Sequence, residues 1–425
     1  MNFAAAPRRR FASIEPAERP AVFWSFLYFF CVLCGYYMLR PLRDEMGIVG
    51  GVKNLPWQFT GTFVVMLLVV PLYSVVVARF PRRAIIPVVY RFCALNLLAF
   101  LALDRLQISQ VWVARIFFVW VSVFSLLVVS VFWSFMVDTF RADQGKRLFG
   151  AVAAGGSLGA IAGPALAALL VKPFGRAALY IVAAVLLEAA VFCVRRLIRW
   201  ASTHESGDAG SAPERAVGGG AFAGFWLALR SPYLLAIAAM LLAYTVTSTV
   251  IYADQARIVA ASVSDSSART ALFARIDLWV NVVALLAQSV VTGWVLTTLG
   301  LGVALCVLPI LTAGGFLGLG LMPGLATLVF VQIVRRGVQY GLERPSREVL
   351  FTAVTPEEKY KAKAFIDTIV FRGGDAAAIW AYDAVRSLAP PLWAVTAAML
   401  VVCAGWTGLA WFAARRHAEL ARRST

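Results

Sequence analysis

Apolar segments of about 20 residues recur along the whole chain, and each is long enough to span the roughly 30 Å hydrocarbon core of a bilayer as a helix. Of the 425 residues, 61% are hydrophobic and only 14% are charged, and the mean hydropathy is +0.79. A water-soluble domain of this size could not cover that much apolar surface. We therefore predict an all-α integral membrane protein that lies in the lipid bilayer.

The apolar segments form two sets of six, separated by a polar stretch. The first set covers residues 21–39, 60–79, 84–103, 111–137, 148–171 and 177–194. The second set covers residues 233–253, 271–296, 300–318, 324–342, 362–385 and 391–413. The stretch between them is rich in Arg, Ser, Gly and acidic residues, which is typical of a linker. We predict about twelve transmembrane helices in two six-helix bundles, residues 1–200 and 231–425, joined by a linker at 201–230. This arrangement resembles that of major-facilitator transporters.

Basic residues cluster in loops that alternating membrane crossings place on one side of the membrane. The clusters lie at residues 79–83, at 146–147, in the linker, at 344–363 and in the tail. Because cytoplasmic loops carry the excess of Lys and Arg, we expect both termini in the cytoplasm and a bacterial inner membrane as the location. The formal net charge is +17, and the same rule explains those of its basic residues that lie at helix ends. No nucleic-acid partner is expected.

The cysteines and histidines do not form a pattern typical of redox or metal chemistry. All six cysteines lie inside apolar segments, where they are typical small core residues. The two histidines, His204 and His417, lie in the linker and the tail. The sequence shows no nucleophile–base pair and no metal-ligand cluster. We therefore expect no cofactor, no bound metal and no enzymatic activity.

Charged residues at the end of the first apolar segment are candidates for substrate binding. Ionisable groups in hydrocarbon persist mainly where they line a watery path or contact a substrate. Arg40 and Arg43 are three residues apart and reach the same helix face, and Asp44 can pair with Arg40. Guanidinium groups match the oxygens of phosphate and carboxylate. The alternative is an interfacial anchor on the periplasmic side.

Polar residues also align on two predicted helices of the second bundle. Asp277, Asn281 and Gln288 fall on a narrow stripe of an otherwise apolar helix. A later helix repeats this pattern with Gln332, Arg336, Gln339 and Glu343 at near-heptad spacing, and Arg335 lies beside Arg336. We predict that Asp277, Asn281, Arg336 and Gln339 line a substrate cavity. Hydrogen bonding between helices is the alternative.

The predicted eleventh helix carries Asp367, Arg372 and Asp375, which are further candidates for the substrate site. Arg372 and Asp375 are one turn apart around Gly373 and Gly374, and this glycine pair could locally unwind the helix. Arginines outnumber the acidic residues within the membrane part, which favours an anionic substrate. The alternative is that many of these arginines are paired or extend to the interface.

Three glycines of the predicted fifth helix indicate close helix packing. Gly155, Gly159 and Gly163 are spaced by four residues and share one face, followed by Pro164. A smooth glycine face lets a second helix approach closely. We predict that this face packs against another helix.

Several patches resemble the ATP/ADP translocase family, the nucleotide transporters of plastids and intracellular bacteria. Residues 37–44 resemble the family's first-helix Leu-Arg-x-x-Lys-Asp element. Residues 132–135 and 146–150 are similar to its Phe-Trp-Gly-Phe and Lys-Arg-Phe-Tyr patches. Residues 340–348 are similar to Tyr-x-x-Phe-Asp-Pro-Thr-Lys-Glu, and residues 358–359 and 363–367 to Glu-x-Lys and Lys-Ala-x-Ile-Asp.

The resemblance implies a twelve-helix carrier that exchanges nucleotides, with basic residues of helices one and eleven in contact with phosphate. Three positions depart from the family pattern. Arg43 stands where the family has Lys, and Asp375 lies where a Lys is usual. The acidic residue of the family's fourth helix is missing among Val121, Ser122 and Val123.

Together, these patterns predict a monomeric secondary transporter for a small anionic substrate. It would move a nucleotide or another phosphorylated or anionic metabolite, by exchange, through alternating access. Two alternatives remain open. A proton-coupled exporter of an amphipathic compound would use Glu188, Asp367 or Asp383 as its proton carrier. A membrane scaffold or sensor that does not transport would explain the missing family acid.

Overall fold

The computed structural model describes residues 14–79, 82–204, 231–355, 362–363, 365–388 and 391–423. Within these ranges the backbone is almost entirely helical, and they contain no β-strand. Helices satisfy their backbone hydrogen bonds internally, as hydrocarbon requires, because lipid tails offer no polar partners. The predicted all-α class is confirmed.

The chain forms two compact units whose boundaries fall inside the first two helices. The first unit consists of Met1–Arg43 and Val65–Ser211. The second consists of Asp44–Val64 and Ala212–Thr425. The end of the first helix and the start of the second helix therefore belong to the second unit.

The helices of the N-terminal half are long, and the last one contains a kink. They are α1 (Arg19–Val49), α2 (Leu55–Arg79), α3 (Arg82–Arg105), α4 (Gln110–Thr139) and α5 (Ala142–His204), with a short 3₁₀ turn at Val52–Asn54. Gly175 interrupts α5 with φ 68°, a conformation that glycine adopts without steric penalty. The predicted segments 148–171 and 177–194 lie on either side of this kink.

The described residues of the C-terminal half form seven α-helices of about two turns or more and several π-helical segments. The α-helices are α6 (Pro232–Ser262), α7 (Ser266–Leu286), α8 (Gly300–Leu321), α9 (Leu325–Val338), α10 (Arg344–Leu350), α11 (Gly374–Ser387) and α12 (Leu392–Arg423). The π-helical segments are Ala287–Val291, Val295–Leu299, Gln339–Glu343 and Ile366–Gly373. Thr292–Trp294 forms an α-helical turn between the first two, and Phe351–Ala353 is a 3₁₀ turn.

Side-chain caps mark the starts of α6 and α7. Ser231 Oγ accepts a hydrogen bond from the Leu234 amide, and Asp265 Oδ2 accepts one from the Ala268 amide at 2.6 Å. Such caps satisfy amides that have no partner inside the helix. Polar residues at these two positions therefore set where the helices that carry much of the candidate site begin.

Eight helices of the described ranges are long and apolar enough to cross a membrane. Two of them, Arg147–Thr203 and Ser266–Leu321, contain 57 and 56 residues. At about 1.5 Å per residue, each is more than twice as long as the roughly 30 Å hydrocarbon core. Each is therefore long enough for two crossings, so the eight helices account for ten crossings within the described residues.

The glycine face of α5 packs against α1 inside the first unit. A Cβ atom on Gly159 would lie 2.5 Å from the carbonyl oxygen of Phe30, and one on Gly163 would lie 2.5 Å from that of Cys34. Gly155 faces the backbone of Phe26 in the same way. The predicted packing role of these glycines is confirmed.

The π-helical segments after α7 and α9 contact each other in the second unit. The Gln288 side chain donates to the Tyr340 carbonyl at 2.9 Å, and Thr292 Oγ1 donates to the Gly341 carbonyl at 2.7 Å. A Cβ atom on Gly341 would lie 2.5 Å from Ala287 Cβ, so the two backbones approach closely. π-Helical segments occur frequently at functional sites, and Gln339–Glu343 carries two of the polar residues considered below.

Candidate functional site

A buried ion pair joins α7 to α9 in the second unit. Arg336 Nη2 lies 2.6 Å from Asp277 Oδ1, and both side chains are buried. Asn281 Nδ2 donates to the Asp277 carbonyl oxygen at 2.9 Å. Gly337 permits the close approach, since a Cβ atom there would lie 2.5 Å from Val283 Cγ1. Three residues selected from the sequence are thus brought together.

Gln339 and Gln288, the next polar residues along these two helices, differ in how far they are buried. Gln339 begins the π-helical segment and is 7% exposed. Gln288 was predicted on the same stripe as Asp277, but its side chain is exposed and binds the Tyr340 carbonyl. Gln288 therefore holds two helical segments together outside the buried polar cluster.

Arg335 precedes Arg336 on α9 and is not among the predicted site residues. Its side chain is buried, with 3% exposure, and its Nη2 donates weakly to Ser248 Oγ at 3.3 Å and to Gln332 Oε1 at 3.4 Å. Its Nε and Nη1 are buried and have no acceptor among the described residues. No carboxylate in the described part of the chain lies within ion-pair distance of Arg335. This guanidinium therefore keeps an uncompensated charge inside the protein.

Amide and hydroxyl groups of α6 surround Arg335. The Gln332 side chain donates to Gln255 Oε1, which orients the Gln332 oxygen toward the arginine. Tyr244 lies within electrostatic reach of both Arg335 and Glu343. The sequence signal that points to this cluster is the polar edge of α6, where Tyr244, Ser248 and Gln255 share a helix face.

Glu343 ends the π-helical segment and is also buried, with 2% exposure. Its Oε1 lies 3.3 Å from Arg347 Nη1. Its Oε2 is buried without a hydrogen-bond donor among the residues that the structure describes. Glu343 belongs to the polar pattern of the sequence but is not among the predicted site residues.

The eleventh predicted helix places Arg372 and Asp375 at the junction between the π-helix Ile366–Gly373 and α11. Arg372 Nη1 lies 3.8 Å from Asp375 Oδ2, and Asp375 Oδ1 accepts a hydrogen bond from Thr249 at 3.0 Å. The predicted local unwinding at Gly373 and Gly374 is not observed, because a π-helix runs to Gly373 and α11 begins at Gly374. Asp367 lies in this π-helix, but its side chain falls outside the described residues.

The remaining predicted residues belong to the first helix, where the chain passes from the first unit to the second. Arg43 stacks over the Phe118 ring at 4.3 Å, and Arg40 lies 5.8 Å from the Tyr37 ring, geometries typical of cation–π contacts. Asp44 belongs to the second unit, where it accepts a hydrogen bond from the Tyr252 hydroxyl at 3.1 Å.

Two of the proton carriers considered from the sequence contact arginines. Glu188 lies 3.2 Å from Arg91 Nε, and Asp383 lies 3.9 Å from Arg257 Nη2. Both carboxylates are substantially exposed in the structure. They therefore lack the burial that distinguishes Arg335 and Glu343.

No protein-family model and no curated protein sequence matches the chain. Nothing in the comparisons therefore supports the ATP/ADP translocase family in particular.

Solved structures do show the fold. A bacterial homologue of the iron transporter ferroportin in an inward-facing state matches with a TM-score of 0.62 and 12% identity, over 95% of this chain and 99% of that chain. A bacterial homologue of the human lysosomal transporter Spinster, inward-facing and unoccupied, matches with a TM-score of 0.58 and 12% identity, over 96% and 99%. A bacterial metal transporter gives a TM-score of 0.58 and 11% identity over the same shares. The chain therefore has an all-α membrane fold of the major-facilitator type.

Proposed function

We propose that the protein is a secondary transporter that moves a small anionic solute across the membrane by alternating access. The observation that carries this proposal is the buried and uncompensated guanidinium of Arg335. An unpaired charge inside a protein is strongly destabilising, and charged groups within membrane segments mark substrate pathways by default. An oxyanion would supply both the missing charge and acceptors for Nε and Nη1, which carry most of the N–H donors of the guanidinium.

The proposed substrates are nucleotides and other phosphorylated or anionic metabolites, moved by exchange. Support comes from the motif resemblance and from the excess of arginine in the membrane part. Arg40, Arg43 and Arg372 are the further residues proposed to contact anionic groups. Asp277, Asn281, Arg336 and Gln339 are proposed to orient the solute or to form gates.

The proposed cellular setting follows from charge distribution and composition. The protein is proposed to act as a monomer in a bacterial inner membrane, with both termini in the cytoplasm, because its basic loops fall on one side. The solved structures that it resembles are transporters rather than enzymes. A scaffold or sensor without a solute would leave the buried charge of Arg335 without a counter-charge.

Exchange in liposomes tests the proposal. Purified protein is reconstituted into vesicles loaded with unlabelled nucleotide, organic phosphate or dicarboxylate, and uptake of the matching labelled compound is followed. We expect exchange by the native protein and its loss in Arg335→Gln. Removal of one partner of a buried charged contact weakens binding by about 2 kcal/mol or more, which is roughly thirtyfold.

A matched control distinguishes loss of binding from a general effect of charge removal. Arg416 lies on α12, is about half exposed and pairs with Glu419 at 2.6 Å, so Arg416→Gln should exchange at the native rate. Native-level exchange by Arg335→Gln would contradict the assigned role of Arg335. Uptake that ignores internal substrate and collapses with the proton gradient would favour the proton-coupled exporter instead.

A further inference from the structure

Three buried polar residues follow one another at intervals of four along one face of α9 and its π-helical continuation. They are Arg335, Gln339 and Glu343, with 3%, 7% and 2% exposure. A spacing of four keeps side chains on neighbouring positions of one helix face. The three residues therefore form a continuous polar strip inside the second unit, with a cation at one end and an acid at the other.

Both ends of this strip have unsatisfied hydrogen-bonding groups: donors at one end and an acceptor at the other. Arg335 Nε and Nη1 are buried donors without acceptors, and Glu343 Oε2 is a buried acceptor without a donor, among the described residues. The Gln339 side chain has no hydrogen bond within the same part of the chain. Buried polar groups are satisfied in the great majority of cases, so two opposite deficits on one strip indicate groups that a ligand completes.

One residue of α6 interacts with both ends of the strip. Tyr244 of α6 lies within electrostatic reach of Arg335 and of Glu343. Its ring stacks on Phe371 with centroids 6.2 Å apart and an angle of 14°. A solute that contacts both ends of the strip would therefore lie beside the rings of Tyr244 and Phe371.

We propose that this strip binds a dipolar solute, with an oxyanion at Arg335 and a protonated amine or another N–H or O–H donor at Glu343. The inference rests on the proposed transport function and narrows its substrate class. Arg347 occupies only Oε1 of Glu343, which leaves Oε2 for the donor of the solute. Gln339 lies between the two ends, where its amide can bind a polar group in the middle of the molecule.

Paired compounds test the proposal. A series of ω-amino carboxylates of increasing chain length, including aminohexanoate, is compared with the carboxylates of equal length that lack the amine, such as hexanoate. Binding is measured by thermal shift of the purified protein, and transport by counterflow in liposomes. A hydrogen bond to a charged group adds to affinity, so the amino compound should bind at least about tenfold more tightly at the best chain length.

Variants at the two ends should separate the two contacts. Glu343→Gln should reduce the preference for the amine while retaining affinity for the simple carboxylate, and Arg335→Gln should weaken both compounds. Glu343→Asp should keep the preference but shift it to a longer chain, because the carboxylate is withdrawn by one methylene. Glu348→Gln is the control on α10, the helix that follows, since Glu348 is exposed and pairs with Lys363 at 2.6 Å.

Each outcome bears on a different claim. Equal binding of both compounds by the native protein, with exchange of other anions intact, would overturn the dipolar site and leave the transport function standing. A protein that exchanges no anion at all would overturn the transport function itself. Loss of proton-driven uptake in Glu343→Gln, with an unchanged amine preference, would overturn the proposal and make Glu343 a proton site.

Discussion

Glu45 accepts two hydrogen bonds from the guanidinium of Arg269, at 2.6 Å from Nε and 2.8 Å from Nη2, although the residues are 224 positions apart. Glu45 is fully buried near the end of α1, and Arg269 lies in the first turn of α7. Two parallel bonds of this kind fix geometry as well as charge. The pair anchors the end of α1 within the second unit.

Removing one partner of this pair should be costly for stability. Glu45→Gln leaves Arg269 without its counter-charge, and Arg269→Gln leaves the Glu45 carboxylate buried and alone. We expect each single variant to lower the free energy of unfolding by about 3–5 kcal/mol, measured by denaturant titration in detergent. The double variant should lose less than the sum of the two. Single losses below about 1 kcal/mol, typical of surface pairs, would contradict this.

Adjacent arginines of α9 should respond in opposite ways to the same substitution. Arg336→Met removes the partner of Asp277 and should cost about 3–5 kcal/mol. Arg335→Met replaces an uncompensated buried charge by an apolar chain of similar length and should leave stability unchanged or raised. Thermal unfolding of the two variants in parallel measures the difference. Equal destabilisation would show that Arg335 has a structural counter-charge.

Two glycines of α5 should show opposite effects when changed to alanine. Gly159→Ala places a methyl group against the backbone of α1 and should cost about 1–3 kcal/mol. A Cβ atom on Gly150 would have no neighbour within 4 Å, so Gly150→Ala should be neutral or stabilise by up to about 1 kcal/mol. Detergent unfolding midpoints measure both. Similar values for the two variants would contradict the packing of α5 on α1.

The cysteines should not react with thiol reagents in the folded protein. All six are buried and none forms a disulfide, and buried thiols in apolar surroundings are unreactive. Labelling with a polar maleimide should therefore be slow in the native state and become complete after unfolding, as read by mass spectrometry. Rapid labelling of the native protein would show that one of these helices opens to water.

The predicted crossings follow from a signal that each segment carries by itself. An apolar run of about 20 residues is sufficient, and so the helices emerge from the sequence alone. The π-helical segments were not predictable, because they have the same composition as the α-helices that they continue. The kink at Gly175 likewise depends on one backbone angle.

The candidate site is less predictable from the sequence, because it depends on the direction in which each side chain points from its helix. Arg335 and Arg336 are adjacent and chemically identical, yet only Arg336 points at Asp277 on α7. Neighbouring residues of a helix point about 100° apart, and a sequence does not reveal which of the two faces the acid. The pairing of Glu45 with Arg269 is a contact between distant segments that no local pattern encodes.

The hydrogen bonds that Gln288 and Thr292 make to the π-helical turn Gln339–Glu343 have a geometric consequence. A π-helix bonds residue i to i+5, so its turn holds one residue more than an α-helical turn. Residues beyond that turn are rotated by about 100° from the positions that an uninterrupted α-helix would give them. The directions in which Arg344 and Arg347 point therefore depend on this π-helical turn, which the residues following α7 hold by hydrogen bonds. Conversion of the turn to α-helix would rotate the whole of α10 about the helix axis.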